Sequence, residues 1–158
     1  MSMNKHIEFM TQCLSLGRIA LKNGDSPVGS LIVSGDQVIG NGIEAGHSKK
    51  NITHHAELLA VKDALIDHSP STLRNSVLYT THEPCIMCSY VIRHYGIGTI
   101  VYGLDSNFIG GITSEFKVLT SESVPAWGNA PRIIPNVLRK ECEALSEAYK
   151  NLLKKQQQ

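Results

Sequence analysis

Residues 76 to 103 constrain the fold more than any other part of the chain. "SVLYTT" has the composition of a buried strand, the run from Pro84 to about Tyr95 has that of a helix, and "TIVYG" follows "GIG" as a second buried strand. A strand, a helix and a strand at this spacing suit a right-handed crossover between two parallel strands. The stretch therefore predicts a sheet flanked by helices.

The N-terminal half adds a helix, a hairpin and a second helix. Apolar side chains within residues 5 to 22 form one broad helical face. "SLIVS" and "QVIGNGI" are short apolar strands, and Gly35-Asp36 between them indicates a hairpin. The second helix runs from about residue 54 to 67 and ends before Pro70, because the residue before a proline resists helical backbone angles.

The C-terminal part completes the sheet. The polar connection from 103 to 130 is predicted to contain a short helix around 113 to 119, and "PRIIPNV" supplies a fifth strand. A last helix follows, and residues from about 150 to 158 are predicted to form a frayed tail. The order of elements predicts an α/β fold with three α/β/α layers and a central mixed five-stranded sheet, in a single domain over residues 1 to 158.

Composition excludes several classes of protein. With 158 residues and 42% hydrophobic content, the chain has the size of one globular domain, and no apolar run approaches the roughly 18 residues of a membrane span. "MSMNKHIEF" lacks the apolar core of a secretory signal, so we predict a cytoplasmic protein with reduced cysteines and no membrane partner. A net charge of +1 gives no overall attraction to nucleic acid.

Two of the four cysteines have the spacing of a metal site. Cys13 and Cys142 fall on apolar helix faces and are predicted to pack in the core. Cys85 and Cys88 are three positions apart near a helix start, so both sulfurs can reach one ion. With Pro84 at the first helical position, the unpaired amides of the first turn favour the thiolate form.

A third ligand is predicted from the other helix start, in "NITHHAELL". With Thr53 as the N-cap, His55 lies in the first turn, where the helix dipole disfavours the imidazolium and leaves a neutral ring for a metal. Cys85, Cys88 and His55 would bind one zinc ion per chain and leave the fourth position open for water, as in a catalytic site. Glu57 would be the non-ligand acid and base beside that water.

Two other chemistries remain open for these residues. Cys85 and Cys88 alone also fit a redox pair, although a thiol oxidoreductase gives no role to His55 and Glu57. A closed structural zinc site needs a fourth ligand, and three further histidines are candidates for it: His54, His82 and His94. The chain would then be a structural-zinc binding module without turnover.

The two motifs together resemble the zinc-dependent cytidine/deoxycytidylate deaminase superfamily. "HAE" at 55 to 57 and "PCIMC" at 84 to 88 match its zinc signature. "SPVGSLIV", "VLYTTHEPCIMC", "TIVYG" and "RKECEAL" follow the order seen in the branch that contains tRNA-specific adenosine deaminases, guanine deaminases and fungal cytosine deaminase. The resemblance covers nearly the whole chain and implies the cytidine deaminase-like fold.

The resemblance also implies roles for individual residues. It makes Glu57 the catalytic proton shuttle, and it brings the main chain of Ala56 and Glu83 against the substrate. The reaction it implies is hydrolytic, because an amino group on a ring carbon is replaced by an oxo group and ammonia leaves. Members of the branch are commonly homodimers, which we expect here. The zinc ligands that it implies are His55, Cys85 and Cys88.

The sequence departs from this branch on the substrate side. The branch usually has asparagine where this chain has Glu44, and a carboxylate accepts hydrogen bonds but donates none. Glu44 either lines the pocket and favours a base rich in N–H donors, such as guanine or an aminotriazine, or faces solvent after a shift in loop register. Gly96 stands where tRNA-editing relatives carry arginine, and His82 where they carry leucine.

These departures and the small net charge shape the predicted substrate. They favour a free aminated nucleobase or nucleoside, guanine-like, over a nucleic acid. Adenosine-to-inosine editing by a tRNA-specific adenosine deaminase is the alternative, because RNA is recognised through loops and local patches that composition does not reveal.

Overall fold

A computed structural model describes residues 1–158. Five helices and five strands follow one another as α1 (Met3–Lys22), β1 (Gly29–Ser34), β2 (Gln37–Ile43), α2 (Ala56–Asp67), α3 (Pro70–Leu73), β3 (Val77–His82), α4 (Ile86–Tyr95), β4 (Thr99–Leu104), β5 (Arg132–Ile134) and α5 (Arg139–Gln156). α5 continues to Gln156, within the segment predicted to be a frayed tail. None of the helices combines the length and the apolarity needed to cross a membrane.

The five strands form one mixed sheet in the order β2-β1-β3-β4-β5. β1 pairs antiparallel with both β2 and β3, whereas β3 pairs parallel with β4, and β4 with β5. The predicted hairpin and the predicted crossover are both present. The prediction of a mixed five-stranded α/β fold is confirmed.

Helices cover both faces of this sheet. α1 and α5 pack on one face over a cluster that includes Tyr79, Cys13 and Cys142. α2, α3 and α4 cover the other face over a cluster that includes Leu78 and Ile92. Neighbouring residues of a strand point to opposite faces, which is why Leu78 and Tyr79 of β3 belong to different clusters. Cys13 and Cys142 are fully buried, as predicted for core positions.

Both helices that carry the metal motifs begin two residues later than the sequence predicts. His55, and not Thr53, is the N-cap of α2, and Cys85 is the N-cap of α4, so that Pro84 lies before the helix. Neither cap uses its side chain to bond the helix backbone, which leaves the imidazole and the thiol for other contacts. Pro70, which was predicted only to follow a helix end, begins the short helix α3, because proline fits the first helical turn.

Residues 113 to 119 form turns and not the predicted short helix. The amides of Ile112 and Thr113 donate to Glu83 Oε2 at 2.8 and 2.9 Å. The Ser114 hydroxyl donates to the carbonyl of Gly110. Hydrogen bonds with the side chains of Glu83, which is distant in sequence, and Ser114 therefore replace the backbone hydrogen bonds of a helix. The only short helical turn in this connection is a 3-10 turn at Pro125–Trp127.

A close approach of α2 to β2 fixes where the second helix starts. A Cβ atom on Gly40 would collide with the carbonyl of Ala60, and one on Gly42 would collide with the carbonyl of Ala56. The absence of side chains at both positions permits this approach. It brings the first turn of α2 to the edge of the sheet where β3 ends and α4 begins.

Candidate active site

Three metal-competent side chains meet where α2 and α4 begin. His55 Nδ1 lies 3.4 Å from Cys85 Sγ and 3.5 Å from Cys88 Sγ. All three ligand atoms lie within 4.8 Å of one another. Two sulfurs and one imidazole nitrogen around one point suit zinc and leave a fourth coordination position for another ligand. The group does not include the other candidate histidines, His54, His82 and His94.

The protonation of the two thiols favours a bound cation. A hydrogen bond from the Cys88 thiol lowers the pKa of Cys85 to about 4, and the same bond together with burial raises the pKa of Cys88. The pair therefore holds one thiolate at neutral pH, which is the form that binds a metal. Hydrogen bonding to Cys85 raises the pKa of His55 to about 9. The nearby thiolate therefore opposes the effect of the helix dipole, which was expected to keep His55 neutral, and a bound metal would displace this proton.

Glu57 is buried beside the three ligands, with 5% of its surface exposed. Its Oε1 accepts a hydrogen bond from Thr80 Oγ1 at 3.3 Å, and Ser30 Oγ donates to Thr80 Oγ1 at 2.9 Å. Its Oε2 lies 3.6 Å from Cys88 Sγ. Burial raises the pKa of Glu57 to about 7, where a carboxyl group both takes up and releases a proton near neutral pH.

Glu44 lies in the wall of the same cavity, which is the first of the two alternatives that the sequence leaves open. One carboxylate oxygen, Oε2, accepts a hydrogen bond from the N–H of Ala56 at 3.1 Å. Burial raises the pKa of Glu44. The Ala56 amide is thus already engaged, and the backbone of Gly46 also bonds this carboxylate.

The side chain of Glu83 holds the loop that follows β4. This carboxylate is 2% exposed and accepts hydrogen bonds from the amides of Ser106, Ile112 and Thr113 at 2.8 to 3.1 Å. Gly110 packs so closely on the carboxylate that a Cβ atom there would overlap it. Glu83 therefore fixes the loop from Ser106 to Thr113 against the start of α4.

The cavity beside the three ligands has a volume of about 180 Å³. A larger cavity of about 690 Å³ lies between the C-terminal ends of α1 and α5, but no His, Cys, Asp or Glu lines it. The chemistry of the lining therefore identifies the smaller cavity as the site. Its walls are formed by Ser26, Val28, Glu44, His55, Glu57, His82, Glu83, Cys85, Ser106 and Ile109.

Comparison with known families assigns this arrangement. The model of the cytidine and deoxycytidylate deaminase zinc-binding region matches residues 3–104, which is more than half of the chain and includes both metal motifs. The chain belongs to this family. The group of one histidine and two cysteines fits a single zinc site, so the predicted zinc cofactor is confirmed.

Curated relatives of this deaminase are tRNA-specific enzymes. The tRNA-specific adenosine deaminase 2 of Xenopus laevis is 35% identical over 150 residues, which are 90% of this chain and 85% of the relative. The tRNA-specific adenosine deaminase of Streptococcus pyogenes serotype M1 is 31% identical over 121 residues, which are 77% of this chain and 71% of the relative. With the family match, these relatives confirm the prediction of a zinc-dependent hydrolytic deaminase.

Two solved structures share the fold of this deaminase. A structure from a study of A-to-I editing by tRNA:A34 deaminases has a TM-score of 0.77 at 25% identity and covers 87% of this chain and 98% of that chain. The guanine deaminase of Nitrosomonas europaea has a TM-score of 0.73 at 20% identity and covers 91% of this chain and 84% of that chain. The second similarity concerns the fold alone. The predicted cytidine deaminase-like fold is confirmed.

The structure also shows what sequence reasoning missed in the deaminase site. Of the predicted site residues, Cys88 and Ala56 do not line the cavity, and Ala56 is linked to it through a hydrogen bond to Glu44. The missed residues lie on strands and loops whose pairing the motifs do not encode. A signal for two of them, Thr80 and His82, is their alternate position at the end of a strand. Thr80 contacts Glu57 and does not line the cavity, whereas His82 does. Four further wall residues were also missed: Ser26, Val28, Ser106 and Ile109.

Proposed function

We propose that this protein is a tRNA-specific adenosine deaminase, which converts adenosine in tRNA to inosine with release of ammonia. The observation that carries the proposal is the pair of curated relatives, both tRNA-specific adenosine deaminases, at 35% and 31% identity. The predicted preference for a guanine-like substrate has weaker support, because guanine deaminase is similar at only 20% identity.

The end of helix α4 explains why this chain has glycine at position 96, where tRNA-editing relatives carry arginine. Gly96 is the C-cap of α4 with a φ of 69°, in the left-handed region that glycine adopts at little cost. A glycine at this position is therefore favoured whatever the substrate. Gly96 is therefore no argument against a tRNA substrate, although the sequence alone suggested one.

The catalytic chemistry in this proposal belongs to Glu57. His55, Cys85 and Cys88 would hold the zinc, which would supply Lewis acidity to activate water at neutral pH. Glu57 takes a proton from the attacking water as its oxygen adds to the ring carbon, and it returns a proton to the amino group as the carbon–nitrogen bond breaks. The hydrogen bond from Thr80 holds one carboxylate oxygen, so the other is directed towards the ligands.

Glu44 supplies the polar contact to the substrate in this proposal. Because the backbone of Ala56 and of Gly46 bonds the carboxylate, its orientation is fixed, and its remaining lone pairs can still accept from a substrate. An acceptor suits the N–H groups of an aminated base. The same feature favours a second candidate substrate, a small base rich in N–H donors, over cytosine-like rings with acceptors at that edge.

The experiment that separates these substrates is a comparison of turnover. We expect inosine formation in an anticodon stem-loop with adenosine at the target position, and little ammonia release from guanine, adenine, cytosine or their nucleosides. Glu57→Gln is the inactive control. Turnover of a free base with none on the stem-loop would contradict the tRNA proposal, and no turnover of any substrate would contradict both.

A homodimer is part of the same proposal. The helix α4 has Ile92 in the core, at 1% exposure, but its Tyr90 is 55% exposed. Tyr90 contacts Trp127 edge to face, and further exposed apolar residues lie beside them: Ile86, Phe116 and Val124. Exposed aromatic and apolar side chains of this kind are enriched at interface cores. Light scattering should give the mass of a dimer, and Tyr90→Lys should shift it to that of a monomer.

A cytoplasmic location also stays a prediction. All four cysteines are free, as expected for thiols kept reduced in that compartment. Fractionation of cells that express the tagged chain would test it.

A further inference from the structure

His82 is the one titratable residue of the cavity wall to which neither the mechanism nor the loop contacts above give a role. It ends β3 and pairs with Leu104 of β4. Every second side chain of a strand points to the same face, so His82 shares a face with Thr80, whose hydroxyl contacts Glu57. The ring therefore lies on the side of the sheet that carries the site, and it forms part of the cavity wall.

The neighbouring Thr81 fixes the tautomer of the His82 ring. Thr81 Oγ1 lies 3.2 Å from His82 Nδ1. The same hydroxyl donates its hydrogen to the carbonyl of Pro27 at 3.2 Å and accepts from the amide of Gly29 at 3.3 Å. Since its one hydrogen is used, Thr81 accepts from the ring, and Nδ1 carries the proton. If the Thr81 hydroxyl donated to Nδ1 instead, the buried Pro27 carbonyl would lose its hydrogen bond from Thr81, and that loss would destabilise the fold.

The opposite ring nitrogen, Nε2, is then an unprotonated acceptor. The only hydrogen bond of the ring is the one at Nδ1, and no fully buried side-chain nitrogen or oxygen lacks a partner. Nε2 is therefore accessible to solvent, on a ring that lines the cavity. Burial lowers the pKa of His82 to about 4, which keeps the ring neutral near physiological pH.

We propose that His82 is a specificity-determining residue whose Nε2 accepts a hydrogen bond from an N–H or O–H group of the substrate. The inference rests on the deaminase function proposed above. It places a second fixed acceptor in a cavity of about 180 Å³ that already contains the Glu44 carboxylate. The bound substrate must therefore present a donor to each of them, which is either an N–H of the base or a hydroxyl of the ribose.

Three variants separate the two ring nitrogens. Asparagine in His82→Asn can donate to Thr81 as Nδ1 does but has no atom at the place of Nε2. Glutamine in His82→Gln reaches the place of Nε2 with an acceptor oxygen, and His82→Leu removes both groups. We expect KM for the stem-loop to rise roughly two- to tenfold in His82→Asn and His82→Leu, with kcat largely retained and with zinc content unchanged. His82→Gln should restore most of the affinity.

A modified substrate identifies the donor. If 2′-deoxyadenosine at the target position weakens the wild type and does not weaken His82→Asn further, the donor is the ribose hydroxyl. If the effects of the two changes add, the donor is an N–H of the base. An unchanged KM in both His82→Asn and His82→Leu would overturn the proposal, and so would loss of zinc, because His82 would then be a metal ligand.

A readout without turnover keeps this test separate from the proposed function. The ¹⁵N spectrum of histidine-labelled Glu57→Gln protein should show His82 protonated at Nδ1 and unprotonated at Nε2. Adding the unmodified stem-loop should shift the Nε2 resonance. A proton on Nε2 of the free protein, or no shift at saturating stem-loop, would overturn the proposal even if the wild type deaminates tRNA. If no substrate is deaminated, the proposed function fails by itself.

Discussion

The two faces of the sheet each carry a pair of cysteines on their helices, and the two pairs differ in almost every property except residue type. Cys13 and Cys142 lie within α1 and α5, fully buried among apolar side chains. Burial raises the pKa of both thiols, that of Cys142 to about 12. On the other face, a hydrogen bond from Cys88 lowers the pKa of Cys85 to about 4.

The surroundings of the thiols explain this difference. Cys13 and Cys142 are packed in an apolar cluster, so each stays protonated and behaves as a small hydrophobe. Cys85 is the N-cap of α4, where unpaired amides favour an anion, and His55 comes close because α2 begins at the same edge of the sheet. The fold converts one pair into ligands and leaves the other as core.

The largest expected effect is on metal content. Cys85→Ala and Cys88→Ala should each abolish tight zinc binding, because two remaining ligands do not hold the ion. Cys13→Ala and Cys142→Ala are the matched controls and should retain about one zinc per chain. Elemental analysis of the purified variants measures this, and equal zinc loss from all four would remove the distinction between the faces.

The next effect is on turnover without loss of metal. Glu57→Gln keeps the shape of the side chain but not its proton transfer, so the deamination rate should fall on the order of a hundredfold or more. Glu143→Gln, on the exposed side of α5, is a control for loss of a carboxylate and should leave the rate unchanged. Zinc absent from purified Glu57→Gln would mean that Glu57 is a ligand.

A smaller effect distinguishes the core pair. Cys13→Ala and Cys142→Ala remove a fully buried sulfur and leave a cavity, so each should lower the free energy of unfolding by about 1 to 2 kcal/mol. Cys85→Ala should lower the free energy of unfolding by less, because Cys85 is only partly buried. All proteins are unfolded in urea with a metal chelator, so that zinc does not contribute. A larger loss for Cys85→Ala than for Cys13→Ala under these conditions would argue against the core assignment.

The same comparison indicates which features the sequence encodes. Apolar periodicity predicted all five strands and the burial of Cys13 and Cys142, because strand and helix periods are local properties. The metal group was also predictable, since each motif sits at a helix start. The missing helix at 113 to 119 was not, because the carboxylate of Glu83 that replaces its hydrogen bonds comes from a distant part of the chain.

Two details of the site show the same limit. The helix α2 begins after His55 and not after the nearest good capping residue, Thr53, and the absence of side chains at Gly40 and Gly42 lets it lie close to β2. The raised pKa of His55 depends on a thiolate that lies thirty positions away in sequence. Helix-end rules applied to α2 alone therefore do not include this effect of the thiolate on the pKa of His55.

The smallest expected effect concerns pH and the site face of the sheet. Burial lowers the pKa of His82 from 6.5 to about 4. Between these two pH values the ring is protonated in the unfolded chain and neutral in the folded protein. The free energy of unfolding should therefore fall as the pH decreases from about 6.5 to about 4, and this contribution should be fully present above that window. Solvent reaches part of the ring, so we expect it to be worth about 1 kcal/mol.

His82→Leu removes this contribution, so its free energy of unfolding should decrease less steeply than that of the wild type over this pH range. The difference between the two proteins isolates the effect, because loss of zinc at low pH is common to both. Cys142→Ala is the control: it lowers stability on the other face without removing a group that titrates in this window, since burial raises the pKa of Cys142 to about 12. Its curve should run parallel to that of the wild type. Urea titrations at a series of pH values measure all three, and a His82→Leu curve parallel to the other two would show that the folded protein accepts the proton.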